Sequence, residues 1–254
     1  MTSSTYSARA AALALALVAT LPLAAQALTG PEIMDKHFHT TKPASLVMTM
    51  SMTITKNGKN LSRSMSTWGM GDNAKGEVER KLIKFLAPGD IKGSGFLSSK
   101  KVDGSTESQL WLPAMGKVRR LSSGASDQDQ AFFGSDFTNR DISGFVEAEF
   151  SYELKGEEEG AFIIEAKPRS PMTYERLVYR IDIKDFGARR IDYWKGGKLF
   201  KFQTLAYTEV EGFALPSRIL MTASSGSTTE IRLSDQKVGQ DLGGQVFTER
   251  FLKQ

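Results

Sequence analysis

The stretch SLVMTMSMTITKNGKNLSRSMSTW, residues 45–68, decides the fold. Leu46, Met48, Met50, Met52 and Ile54 alternate with Val47, Thr49, Ser51 and Thr53. A period of two in an extended chain puts the first set on one wholly apolar face and the second on a mostly polar one. Asn57-Gly58 then supplies the two residues of a tight hairpin turn. The return strand, Asn60 to Trp68, carries Leu61 and Met65 among serines and threonine.

The same grammar runs to the end of the chain. Candidate strands are Glu77 to Phe85, Gly93 to Lys100, Thr106 to Leu112, Ala148 to Leu154, Ala161 to Lys167, Arg176 to Ile183, Arg189 to Trp194, Leu199 to Tyr207, Ser217 to Ala223 and Thr228 to Leu233. Turn residues punctuate them, as at Asp103-Gly104, Lys155-Gly156, Lys195-Gly196-Gly197-Lys198 and Ser225-Gly226. Only Ser122 to Glu147 is a long connection, read as a loop with one helical turn. An antiparallel sheet of about a dozen strands rarely stays flat, so it must curl, and its concave apolar face must be filled.

Helices are expected at the two ends. Thr29-Gly30-Pro31-Glu32 reads as a capping box opening a short helix to about Phe38, with Ile33, Met34 and Phe38 as its apolar side. Gln245 to Leu252 spaces Phe247 and Phe251 four apart, as a closing helix would. These two helices and the long loop are the available covers for the concave face.

Ahead of this domain, Arg9 is the only charge before an unbroken Ala, Leu and Val run from Ala10 to Ala19, and Ala25-Gln26-Ala27 follows. This is the pattern of a secretory signal peptide over residues 1–27, cleaved after about Ala27, with residues 28–254 as one exported domain. The chain has no cysteine, so the domain is held without disulfides. The full chain's formal net charge of +4 is a weak signal for nucleic acid but suits transient contact with an anionic membrane surface. A transmembrane barrel is disfavoured because strands carry charges such as Arg63, Arg180 and Lys201 where a lipid-facing band is required.

Chemistry-bearing motifs are sparse. Met48, Met50 and Met52 would place three thioethers on one side of a strand, but Leu46 and Ile54 share that side and both histidines lie elsewhere, so packing is the simpler reading and no metal or cofactor is expected. Ser135-Asp136 follows Gly134, yet the glycine spacing of a nucleophile elbow is absent, and only His37 and His39 could serve as bases. No catalytic residue is assigned, and a lipid or glycan hydrolase is the weakest of three functional readings.

Three pieces in order carry a family resemblance: Phe85-x-x-Pro88-x-Asp90-x-Lys92-Gly93 with Gly95-Phe96-Leu97, then Leu110-Trp111-Leu112-Pro113 with Lys117-Val118-Arg119-Arg120, then Phe133-Gly134-Ser135-Asp136-Phe137-x-x-x-Asp141. The set resembles the outer-membrane lipoprotein-sorting protein family, exported proteins similar in fold to the carrier LolA. The resemblance implies an unclosed β-barrel with short helices covering a concave apolar face. It implies a periplasmic carrier of an acylated ligand, lipid or lipoprotein, delivering towards the outer membrane. The alternative is a non-catalytic accessory protein docking on an RND-type inner-membrane transporter.

Cavity-lining candidates are Leu46, Met48, Met50, Met52, Ile54, Met65, Phe96, Leu110 and Leu112. Pro113 ends a strand and leaves Arg119 and Arg120 at the rim. Asp136 is expected to cap local backbone N–H groups or pair with an arginine, and the three form the rim or partner-docking candidates.

Overall fold

The computed structural model describes residues 27–40, 42–73, 77–101, 105–122 and 125–254; the expected leader lies outside them except for Ala27. The first helix, α1 (Gly30–Phe38), forms as its capping box dictates: Thr29 accepts from the Glu32 N–H, and the Glu32 carboxylate accepts from the Thr29 N–H at 2.7 Å. Ile33 and Met34 are buried.

The hairpin of β1 (Ser45–Lys56) and β2 (Lys59–Asn73) pairs Met50 with Met65, Met52 with Arg63 and Ile54 with Leu61. Asn57 and Gly58 take the positive φ that this two-residue turn demands. From β2 the chain meanders outward through β3 (Glu77–Ala87), β4 (Gly95–Lys101) and β5 (Thr106–Leu112). A further strand, β6 (Lys117–Leu121), was not anticipated. Pro113 does end β5, but Gly116 then turns through φ 61° and sends the chain back along it, setting Arg119 opposite Leu110 and Arg120 opposite Gln109.

The chain next crosses to the far edge. Its second half meanders back through β7 (Phe150–Glu158), β8 (Ala161–Pro168), β9 (Arg176–Asp182), β10 (Ala188–Lys195), β11 (Lys198–Val210), β12 (Phe213–Ala223) and β13 (Thr228–Val238). The result is one antiparallel 13-stranded sheet, unclosed, in the order β6-β5-β4-β3-β2-β1-β13-β12-β11-β10-β9-β8-β7. Within the crossing lie α2 (Ala125–Gln128), α3 (Asn139–Ser143) and two 3-10 turns, Phe132–Gly134 and Glu147–Glu149.

The crossing proves that the sheet curls. Adjacent residues Asp141 and Ile142 bond to Lys201 on β11 and Lys81 on β3. Those strands are five spacings apart and would stand about 24 Å from each other in a flat sheet. One apolar core therefore draws from nearly every strand and from α1, and it defines the inner face.

The C-terminal helix corrects the expected cover. It is shorter than Gln245 to Leu252, because Thr248 caps it and α4 (Glu249–Leu252) follows. It packs on the opposite, outer face, where Leu252 meets Leu82 and Leu97, with Trp68, Trp111, Phe247 and Phe251 around them. Gly95 permits the approach: a Cβ there would stand 2.6 Å from Leu252 Cδ1.

Candidate ligand-binding face

The inner face is apolar at its centre. Met50, Met52, Ile54, Met65 and Phe96 are all buried in the main core, and Leu110 packs against it. Leu46, Met48 and Leu112 are half-buried and lie outside that cluster. The alternation of β1 placed these residues, and the Met50–Met65 register pair locks two of them together.

Segment 125–149 covers this face with its own aromatic side chains. The Phe132 ring stands 5.4 Å from Phe96 and 5.9 Å from Phe85, and Phe133 lies 4.1 Å from Phe85. Further along, Phe145 meets Phe150 at 5.3 Å and Tyr193 at 6.5 Å. Phe137 and Ile142 are buried in the same core. The inner face is thus occupied by the protein's own residues.

The cover is fastened by cations on inner-face strand positions, each donating to one of its backbone carbonyls. Arg63 Nη2 reaches Phe133 O at 2.7 Å, and Lys81 Nζ reaches Ile142 O at 3.0 Å. Lys100 Nζ reaches Phe145 O at 3.4 Å, and Lys201 Nζ reaches Asp136 O at 2.9 Å. Lys201 also pairs with Asp141 at 2.5 Å, with only 2% and 1% of the two side chains exposed. Asp141 has two further supports: the Thr138 N–H at 2.7 Å, which closes the capping box of α3, and the Tyr174 hydroxyl, 3.0 and 3.2 Å from its two oxygens.

Burial sets the electrostatics of these groups. It pushes the Arg63 guanidinium and the Lys100 ammonium below their ordinary values, the latter against the pull of Glu79. Glu79 responds the other way: burial would raise its pKa, but Lys81 and Lys100, its ion-pair partners at 3.0 and 3.3 Å, hold it well below the usual carboxylate range. Burial and the neighbouring Asp141 keep Tyr174 a phenol that donates rather than ionises.

Asp136 departs from expectation. Its carboxylate accepts from the hydroxyls of Ser227 (2.5 Å) and Thr229 (2.7 Å), and its N–H donates to Thr229 Oγ at 3.0 Å. Among the described residues it neither pairs with an arginine nor caps local N–H groups, its carboxylate being directed at the start of β13. Arg119 lies on the edge strand β6, where it engages Asp127 and Gln130. Arg120 beside it is exposed.

Sequence reasoning missed the Lys201–Asp141–Tyr174 group. A signal existed: Lys201 shares its strand face with Leu205, and Arg63 shares one with Met65, so both charges sit at apolar-register positions. Ser135 Oγ donates to Phe137 O and accepts from Phe137 N. Among the described residues neither histidine bonds to a serine hydroxyl: His37 meets Phe186 O and His39 meets Asp35.

An unclosed, curled antiparallel sheet with a covered apolar inner face is the LolA-like fold, and solved structures agree. The chain is similar to a DUF1329 family protein from Desulfovibrio piger, with TM-score 0.81 and 25% identity over 88% of this chain and 97% of the other. It is also similar to an outer membrane lipoprotein-sorting protein domain from Vibrio parahaemolyticus, with TM-score 0.80 and 23% identity over 89% of this chain and 98% of that one. A LolA superfamily protein from Nitrosomonas europaea matches with TM-score 0.69 and 17% identity, over 89% of this chain and 100% of its own. No curated protein matches the chain. A family model described as "-like: Uncharacterized protein" matches residues 77–254, and the chain belongs to that family.

Proposed function

We propose that the protein is a periplasmic carrier for an acylated ligand, a lipid or lipoprotein, sheltering acyl chains against its inner face for delivery towards the outer membrane. In this reading residues 1–27 direct export and are removed after about Ala27, and residues 28–254 act as one domain. The carrying observation is the way the face is closed. Its cover is a crossing segment, outside the sheet ladder, fastened by side chains that water can satisfy once the segment lifts. The face so uncovered sets Met50, Met52 and Met65 beside the four cations, and the thioethers can adapt to chains of varied shape.

Binding of a fluorescent fatty acid tests this directly, with native mass spectrometry of the purified protein for retained acyl adducts. Phe133→Ala, which removes one cover ring, is expected to tighten fatty-acid binding. Absence of binding in both wild type and Phe133→Ala overturns the carrier reading.

The filled interior favours a second reading, an accessory protein docking on an RND-type inner-membrane transporter through its edge. Arg119 and Arg120 on β6 would then carry the contact. Charge reversal at both should abolish co-purification with the transporter while leaving fatty-acid binding unchanged.

A further inference from the structure

A cleft of about 550 Å³ opens beside the last turn of α1, lined among others by Lys36, His37, His39, Phe186, Arg189 and Tyr207. At its mouth, Asp35 and His39 stand one helical turn apart, and Glu147 approaches them from the 3-10 turn ahead of β7. We propose that Asp35, His39 and Glu147 form a divalent-cation site of the zinc class, linking the end of α1 to the downstream end of segment 125–149.

The geometry brings one imidazole and two carboxylates together. His39 Nδ1 lies 3.1 Å from Asp35 Oδ1 and 3.8 Å from Glu147 Oε2, and one donor atom from each residue lies within 4.8 Å of the others. The same nitrogen meets Asp35 O at 2.9 Å, a contact that a cation bound through Nδ1 would replace. Ligands about 2.0–2.1 Å from a tetrahedral zinc are about 3.4 Å apart, so a small rotation of the half-exposed Glu147 side chain closes the set. The two supports are fixed independently. α1 is held by its capping box and by buried Ile33 and Met34. The Glu147 turn is held by the Val146 N–H donating to Glu149 at 2.8 Å and by the Tyr152 hydroxyl donating to Glu147 O at 3.0 Å.

Charge points the same way. Among the described residues, neither the Asp35 nor the Glu147 carboxylate has an ion-pair partner other than His39. Two carboxylates converge on one imidazole, and a divalent cation placed among them would be held by all three donors. One nitrogen with two oxygens is a zinc-type donor set, whereas calcium prefers oxygen throughout. Asp35 and His39 also line the cleft, so the remaining coordination position opens towards it.

The test uses untagged protein stripped with EDTA and titrated calorimetrically with ZnCl2 and, separately, CaCl2. One Zn2+ should bind per chain and raise the thermal midpoint, with Ca2+ much weaker. His39→Ala and Glu147→Ala should each weaken Zn2+ binding by at least about 10–100-fold. Both residues lie outside the apolar core, so circular dichroism should show an unchanged fold. His37→Ala should retain binding, because His37 is not among the three residues whose donor atoms converge. No Zn2+ uptake, equal uptake by His39→Ala, or Ca2+ binding as tight as Zn2+ each overturns the site. The outcome is independent of whether an acyl ligand is found.

Discussion

The two faces of the sheet are closed by two covers fastened on different principles. On the outer face, α4 is held mainly by packing: Leu252 sits on Leu82 and Leu97, and Phe251 meets Trp68 edge-on at 5.6 Å. Its polar tie to the strands is Lys84 donating to Phe251 O at 3.1 Å. On the inner face, segment 125–149 also packs aromatic rings, but Arg63, Lys81, Lys100 and Lys201 each grip one of its carbonyls. Apolar packing favours a single closed state, because opening exposes surface with no compensation. Charge-assisted bonds are strong in a low dielectric, yet each partner finds water when they part. The outer cover is therefore a fixture held mainly by packing, and the inner one a latch in the sense that four charge-assisted bonds join its packing.

The sharpest way to break this contrast is Lys201→Met. The substitution leaves Asp141 buried without its cation, and losing one partner of a buried pair costs about 3–5 kcal/mol. Urea unfolding should show that loss, and Lys201→Met/Asp141→Asn should recover part of it, because the amide removes the charge and its Oδ1 still accepts a hydrogen bond. A single variant as stable as wild type would mean that the pair does not fasten the cover.

Met50→Trp comes next. Met50 is buried beneath the cover, so added volume should cost about 1–3 kcal/mol, read as a lower thermal midpoint. An unchanged midpoint would reveal room under the cover that the closed packing does not show.

Asp136→Ala ranks third. It strips the Ser227 and Thr229 hydroxyls of their acceptor, and its half-buried position limits the loss to about 1–2 kcal/mol. No change in the urea midpoint would remove Asp136 from the fastening.

Acid should then loosen the inner cover gradually. Glu79 has a folded pKa depressed below its unfolded value, so its contribution is present above the ordinary carboxylate range and is lost as pH falls through and below it. Unfolding midpoints should drop between about pH 5 and pH 3, and Glu79→Gln should flatten that drop. An equal acid slope in both proteins would place the sensitivity elsewhere.

The fold was legible because it rests on local signals. The period of two in Leu46 to Ile54, the Asn57-Gly58 turn and the Thr29-Glu32 box each fix geometry within a few residues. The fastening was not, since Lys201 and Asp141 are 60 residues apart and meet only because the sheet curls. Asp136 was legible as a turn residue, but its true partners on the far half of the chain were not. β6 was hidden by Pro113, a strand breaker whose effect Gly116 reverses three residues later. The face chosen by α4 was equally out of reach, because Phe247 and Phe251 announce an apolar helix without naming which side of the sheet it covers.

Lys84→Met should have the smallest effect and decides whether the two covers truly differ. Lys84 is the outer counterpart of Lys201: it donates to a helix carbonyl, and its ammonium lies 5.3 Å from the Phe251 ring. Yet among the described residues it pairs with no buried carboxylate, and burial already lowers its pKa, so the charge is held at some cost. Methionine keeps the apolar stem over Phe251 and relieves that cost. Losing one hydrogen bond, worth about 0.5–1.5 kcal/mol, should then net to less than about 1 kcal/mol. Amide exchange at Phe251 and Leu252 should stay as slow as in wild type, because Leu252 against Gly95 still anchors the helix. If Lys84→Met instead destabilised the protein as much as Lys201→Met and freed the α4 amides, the outer helix would also be a polar latch, and the distinction between fixture and latch would fail.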